Sequence, residues 1–229
     1  MTDVGTCEPI ARRNVGEIAA NVAGATEIFR RYGIDFCCHG DVTLEVAAEA
    51  KRLDGELIGR ELAALEAKAP LAALPESTDD LIDHILTRYH EVHRREMPEL
   101  IRLSRKVEDV HAGKPGVPSG LADLLQEALG ELEVHMRKEE LILFPAMRQH
   151  SNGLLTGPIT QMRHDHVDHG EMLERMIELT ENFTVPEGGC GTWRALYVGA
   201  EKLRNDLIDH IHLENNILFP RFEEARNAL

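Results

Sequence analysis

The 229-residue chain reads as an all-α protein, with a C-terminal up-down four-helix bundle preceded by a small helical domain. Three features carry that reading. Ala, Leu, Glu and Arg are plentiful while aromatic residues make up 4%, a composition that favours helix and leaves little for strands. Beyond the first third, four long stretches with apolar residues three and four apart alternate with Gly- and Pro-rich breaks. An internal repeat then relates the first two of these stretches to the last two.

In chain order, Asn14 is expected to cap a helix running to about Val22, Thr26 a second that stops near Gly33, and Thr43 a third through Leu53. IDFCCHGD (34–41) is a loop carrying the adjacent Cys37 and Cys38. APLAALPEST (69–78), interrupted by Pro70 and Pro75, is read as the linker between a domain over 1–68 and a domain over 79–229. Long helices are expected over roughly 78–111, 119–149, 157–183 and 192–226. KPGVPSG, SNGLLTGP and VPEGGCG are the connections, and short connections make neighbouring helices antiparallel. Pro98 falls inside the first long helix and should kink it or bulge its ladder.

A formal net charge of −15 argues against a nucleic-acid backbone or an anionic membrane as partner. No run of about 18 apolar residues is present, so no segment is expected to span a bilayer. MTDVGTCEPIARRN lacks the apolar centre of a secretory signal, so a cytoplasmic location is expected. Cys7, Cys37, Cys38 and Cys190 are then resting thiols.

Twelve histidines matter less by number than by placement. His135-x-x-x-Glu139 and His210-x-x-x-Glu214 are each followed by Leu-Phe-Pro at one offset, and the copies stand 75 residues apart. His90-x-x-His93 and His166-x-x-His169 stand 76 apart, which suggests a pseudo-twofold. These residues interrupt apolar seams. His135 and Glu139 continue Leu121, Leu125, Ala128, Leu132 and Ile142, and His210 and Glu214 continue Ala200, Leu203, Leu207 and Ile217. His166 and His169 lie among Ile159, Met162, Leu173 and Met176, and His90 and His93 among Ile82, Leu86, Met97 and Leu100. Imidazoles and carboxylates thus stand where leucine is expected.

A bare buried carboxylate costs on the order of several kcal/mol. Two of them among four imidazoles call for a compensating charge, and metal ions supply it. Residues four apart share one helix face, so a His and a Glu can meet one ion while the Glu reaches a second. Two such helices, with one His from each of the other two, make a dinuclear site. Mixed nitrogen and oxygen ligation favours iron, with manganese or zinc behind it. A single H-x-x-x-E is usually an exposed helical pair; the repeat on a core seam outweighs that bland reading. On spacing alone, His93 and His169 are either hydrogen-bonding partners of the site or alternative ligands. His84 is read as ordinary, and His111, His150, His164 and His212 as surface residues. Trp193, Met172 and Met176 are read as core, and Cys7 and Cys190 receive no role.

At RYHEVHRREMPEL (88–100), VHMRKEELILFP (134–145), HDHVDHGEM (164–172) and LIDHIHLENNILFP (207–220) the chain resembles the hemerythrin-like domain of the repair-of-iron-centres di-iron proteins. IDFCCHG (34–40) is similar to that family's N-terminal cysteine-pair, ScdA-type module, so the resemblance covers nearly the whole chain. It implies two iron ions in a non-haem centre held by His90, His135, Glu139, His166, His210 and Glu214, with both glutamates bridging. It also implies an access path marked by Glu131 and Asp165. There are two departures. His39 stands where many members have Gly, offering an extra ligand or base beside the cysteines. Gly170 stands four residues after His166, so the third-helix H-x-x-x-H of oxygen-carrying hemerythrins is incomplete.

The resemblance implies repair of iron–sulfur clusters damaged by nitrosative or oxidative stress, with iron donation to damaged iron–sulfur proteins. Two alternatives are an enzyme reducing NO and a sensor of O2 or NO. Four imidazoles and two carboxylates leave each ion open positions for water, an oxo bridge, O2 or NO. Cys37 and Cys38 are expected to act by binding iron, NO or a thiol partner, or by relaying electrons, since a disulfide between neighbours would be strained and easily reduced. A homodimer through the N-terminal module is an expectation resting on no particular residue.

Overall fold

The computed structural model describes residues 9–67, 75, 77–149 and 155–223. Cys7, His150 and most of the expected linker lie outside them. Among the described residues every regular element is helical, and the one extended pairing is an isolated bridge between Asn14 and Thr43. The chain divides into two compact units, Met1–Glu76 with Ile211–Arg221, and Ser77–His210 with Phe222–Leu229.

The first unit holds α1 (Val15–Asn21), α2 (Ala25–Tyr32), α3 (Leu44–Ala50) and α4 (Gly55–Glu66). Val15, Ile18, Phe29, Phe36, Leu44, Ile58 and Leu62 form its core. Thr43 caps α3 by accepting from the Val46 amide at 3.4 Å, as expected. Thr26 does not cap α2. Gly24, at φ 83°, takes the cap position, and its left-handed backbone starts the helix before Thr26 is reached. Gly33, at φ 63°, ends α2 in the left-handed geometry that glycine adopts cheaply. The third helix does not reach Leu53. It stops at Ala50, Arg52 turns left-handed at φ 56°, and Asp54 starts the unexpected α4 by accepting from the Leu57 amide at 3.0 Å.

Four helical runs follow. The first is α5 (Thr78–Ile85), a π turn over Leu86–His90, and α6 (Glu91–Val110). The second is α7 (Leu121–Lys138), a π turn over Glu139–Leu143, and α8 (Phe144–Arg148). The third is α9 (Thr156–Leu179). The fourth is α10 (Gly191–Leu213), a π turn over Glu214–Leu218, and α11 (Pro220–Glu223). In the second unit α6 packs along α7, and α7 along α9. Helix α6 continues through Pro98; the widened turn of that run lies before it, at Leu86–His90. The third run stops short of residue 183, because Glu181, Asn182 and Phe183 are all left-handed and Thr180 Oγ1 accepts from the Phe183 amide at 3.1 Å.

The π turns correct the seam. Ile142 is 61% exposed, while Leu143 is 2% exposed. In the matching turn Ile217 is only half-buried and Leu218 is fully buried. Hydrogen bonding from i to i+5 adds a residue to the turn, so the position that faces inward moves from three to four residues after the glutamate. Upstream of these turns the seams hold, and all of Ile159, Met162, His166, His169, Leu173 and Met176 are buried on α9.

Candidate metal centre

Each of the three π turns abuts or begins at one of the polar seam residues. One ends on His90, one starts at Glu139 and one starts at Glu214. Such turns widen the ladder locally and often sit at functional sites. They carry His90, Glu139 and Glu214, each 0% exposed, and three histidines from regular helix are almost as buried: His166 at 0%, His210 at 1% and His135 at 2%.

The buried side chains form two groups. His90, Glu139, His210 and Glu214 have ligand atoms all within 4.8 Å of one another, and so do His135, Glu139, His166 and Glu214. Both glutamates belong to both groups. The Nε2 atoms of His90 and His210 stand 3.2 Å apart, as do those of His135 and His166. Glu139 divides its carboxylate, with Oε2 3.4 Å from His90 Nε2 and Oε1 3.4 Å from His135 Nε2. Ligand atoms about 2.0–2.1 Å from one ion stand about 3.0–3.4 Å apart at adjacent coordination positions. The observed separations match that spacing twice, so each group can hold one ion.

Around the groups, other side chains set the rings. Glu140 Oε1 lies 2.8 Å from His90 Nδ1 and is itself gripped by Arg94 at 2.7 and 3.2 Å. Asp165 Oδ2 lies 3.3 Å from His135 Nδ1 and accepts from Lys138 at 2.8 Å, while its other oxygen accepts from Gln161 at 2.7 Å. The bonds from His135, Lys138 and Gln161 hold the Asp165 carboxyl well below its ordinary range. A carboxylate at Nδ1 keeps the proton there and turns the Nε2 lone pair toward an ion. Tyr89 stacks on His210 with ring centres 5.2 Å apart, and Arg88 lies over Tyr89 while bonding Asp206 at 2.7 Å.

Two family models match the chain. One, described as the hemerythrin HHE cation binding domain, covers residues 81–222; the other, a domain of unknown function (DUF542), covers residues 11–66. The iron-sulfur cluster repair protein YtfE of Edwardsiella ictaluri is 46% identical over 218 residues, covering 91% of this chain and 96% of that protein. The protein of the same name from Cronobacter sakazakii is 48% identical over 211 residues, covering 90% and 94%. That of Escherichia coli O8 is 46% identical over 215 residues, with the same coverage. The chain belongs to the repair-of-iron-centres family. Its cofactor is the non-haem di-iron centre of such hemerythrin-like proteins, and the paired His and Glu groups fit it.

Other expected residues of this repair-of-iron-centres protein fall as follows. His93 and His169 are buried but belong to neither group of four. Burial first, then the neighbouring imidazoles, push them down to about 2 and about 3, so both rings are neutral. Glu131 is exposed and lines an open groove with Glu127, Asp165, Asp168, Glu171 and Lys138 that reaches His135 and His169. Cys37 and Cys38 face each other at 3.6 Å between sulfurs. Asp35 Oδ1 accepts from both their amides, at 3.0 and 2.9 Å, and His39 Nδ1 sits 2.6 Å from its other oxygen. The hydrogen bond with Cys38, then burial, raise the Cys37 thiol well above its ordinary value.

His111 and His212 are not surface residues, being 6% and 5% exposed. His111 packs 4.9 Å from the Trp193 ring and meets Cys190 Sγ at 3.2 Å. His212 sits edge-on to Phe36, ring centres 5.3 Å apart. Trp193 and Met176 are core as expected, and Met172 is half-buried on the groove. Glu140 and Arg94 were missed; the doubled acid Glu139-Glu140 was the available signal.

Proposed function

We propose that His90, Glu139, His210 and Glu214 hold one iron ion and His135, Glu139, His166 and Glu214 the other, and that the protein donates iron to rebuild damaged iron–sulfur clusters. The observation carrying this is the pair of buried four-ligand groups that share both glutamates. When bound, the two ions supply redox and Lewis-acid chemistry at open coordination positions. The chain's own residues do the rest. Glu140 and Asp165 orient the imidazoles. Tyr89, stacked on His210, shields that ring from water. Glu139 and Glu214, members of both groups, would offer carboxylate oxygen to either ion.

Donation as the activity is supported by the ligand chemistry and by the groove. Nitrogen and oxygen ligands release ferrous iron more readily than thiolates do. The groove that reaches His135 is lined by Glu127, Glu131, Asp165, Asp168 and Glu171, with Lys138 among them, a field that attracts a divalent cation and gives nothing to a neutral gas. Repair of iron–sulfur clusters is the activity named for the relatives. Glu131 and Asp165 act as stations on this path. Cys37 and Cys38, whose sulfurs stand 3.6 Å apart, suit a reducing cytoplasm and serve as the thiol end of the transfer.

The test is to incubate the iron-loaded protein with an iron–sulfur enzyme damaged by NO. Recovery of the enzyme's cluster absorption is expected, and Glu139→Leu/Glu214→Leu should abolish it. No recovery, or equal recovery with the double variant, rejects donation. Reduction of NO is the competing activity; N2O formed in a single turnover of the diferrous protein would favour it.

A further inference from the structure

The two copies of the repeat differ in one telling place. After the shared glutamate, and before the shared Ile-Leu-Phe-Pro, the first copy has Glu140-Leu141 and the second Asn215-Asn216. In the first copy Glu140 serves His90, and Leu141 points to solvent at 74% exposure. In the second copy Asn215 is 4% exposed and donates through Nδ2 to the carbonyl oxygen of Cys37 at 2.9 Å. Asn216 donates to the carbonyl oxygen of Phe36 at 3.0 Å, and the same amide nitrogen lies 3.0 Å from His212 Nδ1. The ring of Phe36 in turn packs edge-on against His212.

The fit leaves no slack. A Cβ added at Gly16 or at Gly40 would collide with Asn216 Oδ1, and the Gly16 amide donates to the Gly40 carbonyl at 2.9 Å. The backbone of the dithiol loop is therefore clamped to the residues immediately after Glu214, within one compact unit.

We propose that Asn215 and Asn216 are positioning residues that tie the Cys37–Cys38 dithiol to the π turn carrying Glu214, so that metal loading at that glutamate sets the reactivity of the thiols. This rests on Glu214 being a metal ligand, as proposed above. A metal fixes the carboxylate and with it the turn over Glu214–Leu218; without one, the turn loses that anchor. Side-chain amides on the next two residues transmit either state to the carbonyls of Phe36 and Cys37, one peptide away from the sulfurs.

The experiment uses the full-length protein with Cys7→Ser and Cys190→Ser, so that only Cys37 and Cys38 react. The rate of alkylation by iodoacetamide is measured without oxygen, metal-free and loaded with iron(II). Loading should change the rate by about five-fold or more, the lower end of ordinary coupling between sites. Asn215→Ala/Asn216→Leu, which gives position 216 the first copy's residue, should bring the two rates to within about two-fold, below that range. Iron content and absorption spectrum should stay unchanged. Gly40→Ala, which disturbs the same clamp from the loop side, should act alike. Iron bound but equal rates in the unmutated pair, or an undiminished ratio in both clamp variants, overturns the proposal while leaving the metal centre standing. Failure of the unmutated protein to take up iron overturns the metal assignment and the proposal together.

Discussion

Glu140 holds His90 from behind: its Oε1 lies 2.8 Å from Nδ1 of a ring whose Nε2 faces Glu139 and His210. Asp165 stands in the same relation to His135. Neither carboxylate belongs to the two buried groups, so removing its charge should leave the ligands present but less basic and less well aimed. Glu140→Gln and Asp165→Asn should each weaken metal binding by about 10–100-fold. Competition against a chromophoric chelator measures this, and unchanged affinity with normal helicity would show that these carboxylates do not tune the site.

Glu139 and Glu214 are completely buried, and without metal their charges are a burden on the fold. Metal-free Glu139→Leu/Glu214→Leu should be at least as stable as the metal-free parent, by up to about 4 kcal/mol. Added iron should raise the parent's melting temperature and leave the variant's where it was. Thermal melts of all four samples decide it. A metal-free variant less stable than its parent would mean that the carboxylates stabilise the fold without metal.

The register of the second run can be checked at two adjacent residues. Leu143→Ala should cost about 2–5 kcal/mol, as a buried large-to-small change does. Ile142→Ser, on the solvent side of the π turn, should stay within about 0.5 kcal/mol. Urea unfolding of the pair measures both. The reverse order would mean that the helix continues without its extra residue.

Cys190 immediately precedes α10, and its thiol lies 3.2 Å from His111 Nε2. The bond with His111, then the amides of Trp193 and Thr192, bring it down to about 7 from 9.0. The thiolate is the reactive form and its share grows with pH. In a Cys7→Ser/Cys37→Ser/Cys38→Ser background, the alkylation rate should therefore climb through about pH 7 and level off above it. His111→Ala should move that midpoint up toward 9.0. A midpoint already near that value in the parent would contradict the pairing.

Much of the site was legible because helix geometry is local. His135 and Glu139 share a face whatever surrounds them, and so do His210 and Glu214. Their recurrence at one period pointed to two helices offering the same pair. Spacing alone did not choose between His90 and His93, or between His166 and His169, since both members of each pair lie on the seam. The buried groups contain His90 and His166. Ile142 was misplaced because a π turn inserts a residue that no apolar pattern records. His212 was misplaced because its cover, Phe36, comes from a segment far away in sequence.

Periodicity along single helices was enough to establish an all-helical chain, a doubled His–Glu pattern and polar residues on an apolar face, because each depends only on residues a turn apart. Three matters waited for the assembled chain: which oxygen of Glu139 meets which imidazole, that Glu140 and Asp165 stand behind the rings, and that Asn215 reaches the carbonyl of Cys37. Apart from Glu139 with His135, these are contacts between segments distant in sequence. A one-residue widening of a helix is enough to turn such a side chain toward its partner or away from it.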